Sequence, residues 1–319
     1  MFSDFLDALV FGLSVTLPSM LLLFLGWYVN KSHQVDAKFC DQASKIVFRY
    51  SMPALLFFSI YSNHSPFLEQ LNLIFSGIVA SLILFIGAEF FARRYVANPK
   101  DRGVFVQGVF RSNTMIMGLA FVSSAYGAQG VAIGAIFGGA MTLLFNVLAV
   151  LTLSRSDGNN QRLSASFVMK QILKNPLILA ILAALLCKTI PIPISPLLEE
   201  TGSYLSRLAL PLALICAGAT LDVRSMFKMV DIALWASIGR LLFAPLVTVL
   251  VAFFFGLEGV SMGVIFLMTA TPVAAASYVM AKAMGANDVA AANIIGITTV
   301  GAMPVAALGV VALRMMGWM

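Results

Sequence analysis

Two stretches, Leu71–Phe91 and Ile232–Phe255, run for more than twenty residues with one charge each. About 20 apolar residues suffice for a helix to cross the hydrocarbon core of a bilayer. Only helices and closed barrels satisfy their backbone there. A barrel alternates polar and apolar positions along each strand, whereas these runs are continuous. Composition agrees: 60% of the 319 residues are hydrophobic and 11% charged, against about 45–50% and about 25% in soluble domains. The chain reads as an all-α polytopic membrane protein. Its first residues carry Asp4 and Asp7 and no basic region, so they do not read as a cleaved signal.

Apolar runs between polar breaks give ten expected transmembrane helices, at 5–29, 44–62, 71–92, 103–124, 130–153, 175–190, 203–221, 231–256, 261–284 and 289–313. They are called segments 1 to 10 below. One connector is plainly polar, Ser154–Ser166 at the midpoint of the chain. Lys and Arg are retained on the cytoplasmic side. With both termini outside, fifteen of the twenty basic residues collect on the inner face. They fall in the groups Lys31–Arg49, Arg93–Arg102, Arg155–Lys174, Arg224–Lys228 and at Lys282. Three (Lys188, Arg207, Arg314) fall outside, and Arg111 and Arg240 lie within spans. The expected location is the cytoplasmic (inner) membrane, multi-pass, with the central loop in the cytoplasm. Orientation accounts for the net charge of +6, so no nucleic-acid partner is needed.

A shift of 158 residues aligns the two halves without a gap: Pro18 on Pro176, Arg49 on Arg207, Pro53 on Pro211, Gly127 on Gly285 and Gly138 on Gly296. Pro and Gly carry backbone consequences, so their recurrence weighs more than apolar identities. Five spans per half make the second half insert upside down. Such a 5+5 inverted repeat is typical of secondary transporters, whose sites lie where interrupted spans meet near the midplane.

Segments 4 and 9 are the interrupted pair. Segment 4 holds Arg111-Ser112-Asn113-Thr114 and Gly118; segment 9 holds Thr269, Thr271, Pro272 and Ser277. Under the shift Asn113 meets Thr271 and Thr114 meets Pro272. Pro272 frees carbonyls in the turn before it, and freed groups persist in a membrane only where protein, water or a ligand satisfies them. Helices 4 and 9 are therefore expected to be broken and to cross. Helix N-termini at the crossing favour anions. Asn113, Thr114, Gly118, Thr271 and Pro272 are the candidate substrate-binding residues, with Gly118 as a helix breaker.

At these residues the chain resembles the auxin efflux carrier family. Asn113-Thr114-Met115-Ile116-Met117-Gly118 looks like its segment 4 signature and Ala281–Gly285 like its segment 9. Met52-Pro53-Ala54-Leu55 and Leu210-Pro211-Leu212-Ala213-Leu214 are similar to its segments 2 and 7. The family commonly has Pro two residues after the segment 4 Gly; here Gly118-Leu119-Ala120 stands instead, which suggests a softer break. The resemblance implies scaffold helices 1–2 (1–66) and 6–7 (175–224), and transport helices 3–5 (67–153) and 8–10 (225–319). A cytoplasmic connector (154–174) joins the halves. It further implies a homodimer through the scaffold, elevator-like movement of the transport part, and a small carboxylate such as malonate, malate or an auxin-like acid as substrate.

Charges inside a membrane are costly and mark function by default. Arg111 lies eight residues past Gly103, roughly 12 Å along a helix, and Arg240 stands nine residues past Asp231. Arg111 is an electrostatic partner for a substrate carboxylate, which a guanidinium binds through paired donors. Arg240 is expected to form an internal salt bridge. Glu89 has three candidate partners, Arg93 at i+4, Arg111 and Arg240, and is the one intramembrane carboxylate fit to carry a proton. The balance favours an organic anion. No cofactor or metal is expected, the three cysteines having no metal spacing, and coupling to a proton or to sodium is open. Zinc-protease, hydrolase and phosphate-loop signatures are lacking, so an enzyme is not expected. Two alternatives stand beside the carrier: a sensor that binds an organic anion without moving it, and a sodium-coupled organic-anion symporter of the bile-acid type. Gly130, Gly134 and Gly138 are expected to serve close helix packing.

Overall fold

The computed structural model describes residues 2–62, 70–154, 175–190, 193–221 and 231–319. Most of the connector and the basic residues at 155–174 and 224–228 lie outside the described residues. Among those described, all regular structure is helical. Thirteen α-helices are numbered here: α1 Phe2–Lys31, α2 Ala37–Ile46, α3 Met52–Tyr61, α4 Leu71–Tyr95, α5 Pro99–Phe110, α6 Leu119–Leu153, α7 Pro176–Thr189, α8 Pro196–Ala219, α9 Asp231–Ile238, α10 Ala244–Phe254, α11 Gly259–Thr269, α12 Ala276–Ala283 and α13 Asp288–Met315. π-helical turns occupy Val47–Ser51, Thr114–Gly118 and Gly239–Phe243. Six stretches are long and apolar enough to cross a membrane, and α7 and α11 are shorter apolar helices. The chain is a polytopic membrane protein.

Helix starts follow local chemistry. Asn98, Asn175 and Asn287 each accept a backbone N–H of the first turn, from Lys100, Leu177 and Ala290. Pro99, Pro176 and Pro196 stand at first-turn positions, where a missing N–H costs nothing. The Asn287 amide also donates to Asp101 at 2.8 Å, tying the start of α13 to that of α5. Gly127, at φ 57°, turns the chain between the two arms of α6.

The helices pack as two groups in broad contact with each other through α1. In one, α1 lies on α8, and α3 lies on α7 and α8. In the other, α4 packs on α5 and α10, α11 on α6, and α13 on α5 and α9. The groups meet where α1 touches α13 and α3 touches α6. The glycine row of α6 closes on the second group: a Cβ at Gly138 would stand 2.6 Å from the Met115 sulfur, and one at Gly134 3.4 Å from that of Met268.

Candidate functional site

Both interrupted segments leave the helical path at matching depth, and the two extended pieces pair with each other. After α5 the chain passes through Arg111 (φ −85°, ψ 93°) and Asn113 (φ −85°, ψ 62°) before the π turn begins at Thr114. After α11 it stays non-helical until α12 begins at Ala276. Ser112 and Val273 form a single antiparallel bridge. The Asn113 N–H donates to the Pro272 carbonyl at 2.9 Å, and the Ala274 N–H donates to that of Arg111 at 3.3 Å. The Val273 N–H donates to Thr298 Oγ1 of α13 at 3.1 Å. Backbone that a membrane would otherwise strand is thus satisfied within the protein.

Pro272 has no N–H to offer the Met268 carbonyl. The Thr271 hydroxyl donates to it instead, at 3.2 Å. Thr271 and Pro272 are buried and build the break from behind. Gly118 does not break the helix. Its backbone is helical (φ −60°, ψ −50°), and the departure lies upstream at Arg111–Asn113. The position is confined because a Cβ would stand 2.9 Å from the Met268 sulfur and 3.2 Å from its Cα. The segment 4 break is also firm without the proline two residues on, since partner backbone holds it open.

Four helix ends converge here: the C-termini of α5 and α11, and the N-termini of α12 and of the Thr114–Gly118 turn that leads into α6. Arg240, 1% exposed, serves the first two. Its guanidinium donates to the carbonyls of Val109 and Phe110, both at 3.1 Å, and to that of Thr269. Those carbonyls have no partner within their own helices. Each helix C-terminus carries about −0.5 charge, so two nearly balance one guanidinium. The expected salt bridge at Arg240 is therefore replaced by helix ends. Glu89 stands 3.7 Å from Arg93, one turn along α4, the partner its spacing favours.

The N-terminal ends open on a cavity of about 500 Å³. Asn113, Thr114, Ala275 and Ala276 line it from the crossing; Thr142, Phe145 and Asn146 from α6; Ser44, Phe48, Met52 and Leu177 from the other group. Arg111 is buried in its wall. The guanidinium donates to Gln107 Oε1 (2.9 Å), Asn146 Oδ1 (2.7 Å) and the Met280 sulfur (2.8 Å). These partners are neutral, and among the described residues no carboxylate stands within ion-pair distance of Arg111. Gly118, Thr271 and Pro272 do not line the cavity. Asn146 and Gln107 were not singled out from the sequence, although a lone Asn inside the apolar run of segment 5 was the available signal.

The model of the membrane transport protein family, the auxin efflux carriers, matches residues 13–309. The chain belongs to this family. An uncharacterized transporter of Methanothermobacter thermautotrophicus is 25% identical to it over 276 residues, covering 85% of this chain and 88% of that protein. As a member of the membrane transport protein family, the chain is a membrane transporter, and the crossing with its cavity is the candidate site.

Proposed function

We propose that this transporter is a secondary carrier of a small organic anion, a mono- or dicarboxylate, bound where the cavity meets the crossing. The observation that carries the reading is Arg111: a buried guanidinium in the cavity wall with neutral partners alone. The two helix N-termini beside it add about +0.5 each, while Arg240 is already offset by helix C-termini. The site thus holds roughly two positive charges, fit for one or two carboxylates. Asn113 offers its amide, and the unpaired N–H groups of Ala275 and Ala276 lie at the mouth of α12. Among the described residues no carboxylate lines the cavity, which disfavours a cation as cargo.

An inverted repeat of ten spans is supported by helix ends. The ends of α1 and α7, Lys31 and Thr189, are 158 residues apart, as are those of α3 and α8, Tyr61 and Ala219. The positive-φ glycines Gly127 and Gly285 keep the same spacing. The two packed groups suit a scaffold and a moving part, with the cavity between them, as an elevator requires. On the positive-inside orientation the cavity lies in the cytoplasmic half.

Purified protein in liposomes is the test. It moves labelled malonate or malate, and Asn113→Ala cuts the flux. Binding without flux for every carboxylate tried identifies a sensor instead. Imposed proton, sodium and voltage gradients then read the coupling.

A further inference from the structure

On the opposite side of the crossing, two adjoining cavities of about 330 and 420 Å³ meet at Ser206 and Arg207 of α8. Both lie between α8, α3 and α6. Arg207 stands eleven residues along α8 from Pro196, roughly 16 Å at helical rise. Arg207 is exposed and lines both cavities, where water can receive its charge. Among the described residues no carboxylate stands within ion-pair distance of it. Glu200, two turns earlier on α8, accepts the Tyr204 hydroxyl instead.

The walls around Arg207 are hydroxyl-rich. Ser203, Ser59, Ser62 and Gln129 line one cavity with it; Ser19, Ser123 and Ser124 line the other. The 158-residue shift exposes a difference between the two sides. Phe48 and Leu177 line the inner cavity, and their counterparts Ser206 and Ser19 line the outer ones. At these two positions the inner wall is apolar and the outer wall carries hydroxyls. Ser203 and Ser206 donate to the Glu200 and Gly202 carbonyls, which leaves the Arg207 guanidinium and the Gln129 amide as the donors that a carboxylate would meet in these cavities.

We propose that Arg207, with Ser203, Ser206 and Gln129, forms a second anion-binding site on the outer side of the crossing. It takes a small carboxylate at the extracellular mouth. The identity of that carboxylate rests on the carrier reading above; the site itself does not. A carboxylate then meets a cation on either face, Arg207 in the outer cavities and Arg111 in the inner one.

The full-length protein carrying Cys187→Ser and Ser203→Cys tests this without any transport. Cys40 and Cys216 are buried, so a neutral, membrane-impermeant maleimide reads the thiol introduced at 203. Malonate slows its alkylation, while chloride at equal ionic strength does not. Arg207→Gln raises the half-protecting malonate concentration about tenfold or more, the scale of one charged hydrogen-bond pair, and Arg207→Lys restores part of it. Alkylation indifferent to malonate, or protection unchanged in Arg207→Gln, overturns the site. A protein that shows Arg207-dependent protection and no flux in liposomes keeps this site and loses the carrier reading.

Discussion

Arg240 and Arg111 are both buried guanidiniums, and the structure assigns them different consequences on removal. Arg240 bonds three carbonyls at two helix C-termini. Arg240→Met leaves those acceptors in an apolar interior, each costing about 1–3 kcal/mol. Removing one partner of a buried charged cluster costs about 3–5 kcal/mol in all. At about 2–4 °C per kcal/mol, the melting temperature of the purified protein falls by roughly 10 °C. Arg111→Gln is milder, because it strands neutral amides rather than a charge, and Asn146 lines the cavity, where water or the new amide re-pairs it. The cost there is about 1 kcal/mol, a fall of about 2–4 °C. What Arg111→Gln removes is the charge facing the anion, worth about 2–3 kcal/mol, a roughly 30- to 150-fold loss of affinity. Tryptophan fluorescence on heating reads the first quantity, using Trp27, Trp235 and Trp318, and malonate flux in liposomes reads the second. If Arg240→Met melts within about 2 °C of the native protein, helix-end neutralisation is wrong. If Arg111→Gln transports with native affinity, the assignment of the anion's charge partner is wrong.

Three further outcomes follow from the crossing. Thr271→Val, nearly isosteric, strips the Met268 carbonyl of its donor and lowers stability by about 1–3 kcal/mol with malonate affinity little changed, read by melting beside flux. Gly118→Val forces the Met268 backbone to shift and costs about 1–3 kcal/mol or more by overpacking; a melting temperature at or above native rejects the close approach. Asn113→Asp places a negative charge among the helix N-termini and abolishes anion flux more completely than Asn113→Ala, as parallel liposome assays measure.

The breaks were legible at the level of depth. Pro272 and the polar run Arg111–Thr114 sit in apolar segments, where any departure from apolar character stands out. Their pairing was not, because a bridge between Ser112 and Val273 joins residues far apart in sequence through backbone groups that every residue carries. The same limit explains Gly118: its composition suggested a break, whereas partner backbone places the break upstream, and glycine is there for lack of space. Arg240 was legible as a costly charge. Its partners were carbonyls, which leave no trace in sequence, so a salt bridge was the natural expectation. Asn146 reaches Arg111 from another helix, a pairing that a single polar residue among many apolar ones does not disclose.

The bridge at Ser112 and Val273 also bears on how such a carrier diversifies. Much of the field at the crossing comes from peptide dipoles, which every amino acid supplies equally. No single substitution deletes them. Side chains around the cavity are then free to drift, exchanging Thr142, Phe145 or Ser44 for others, without the lineage passing through a form that has lost its affinity for anions. A node written in main chain is inherited with the fold, and the choice of cargo becomes a matter of its upholstery.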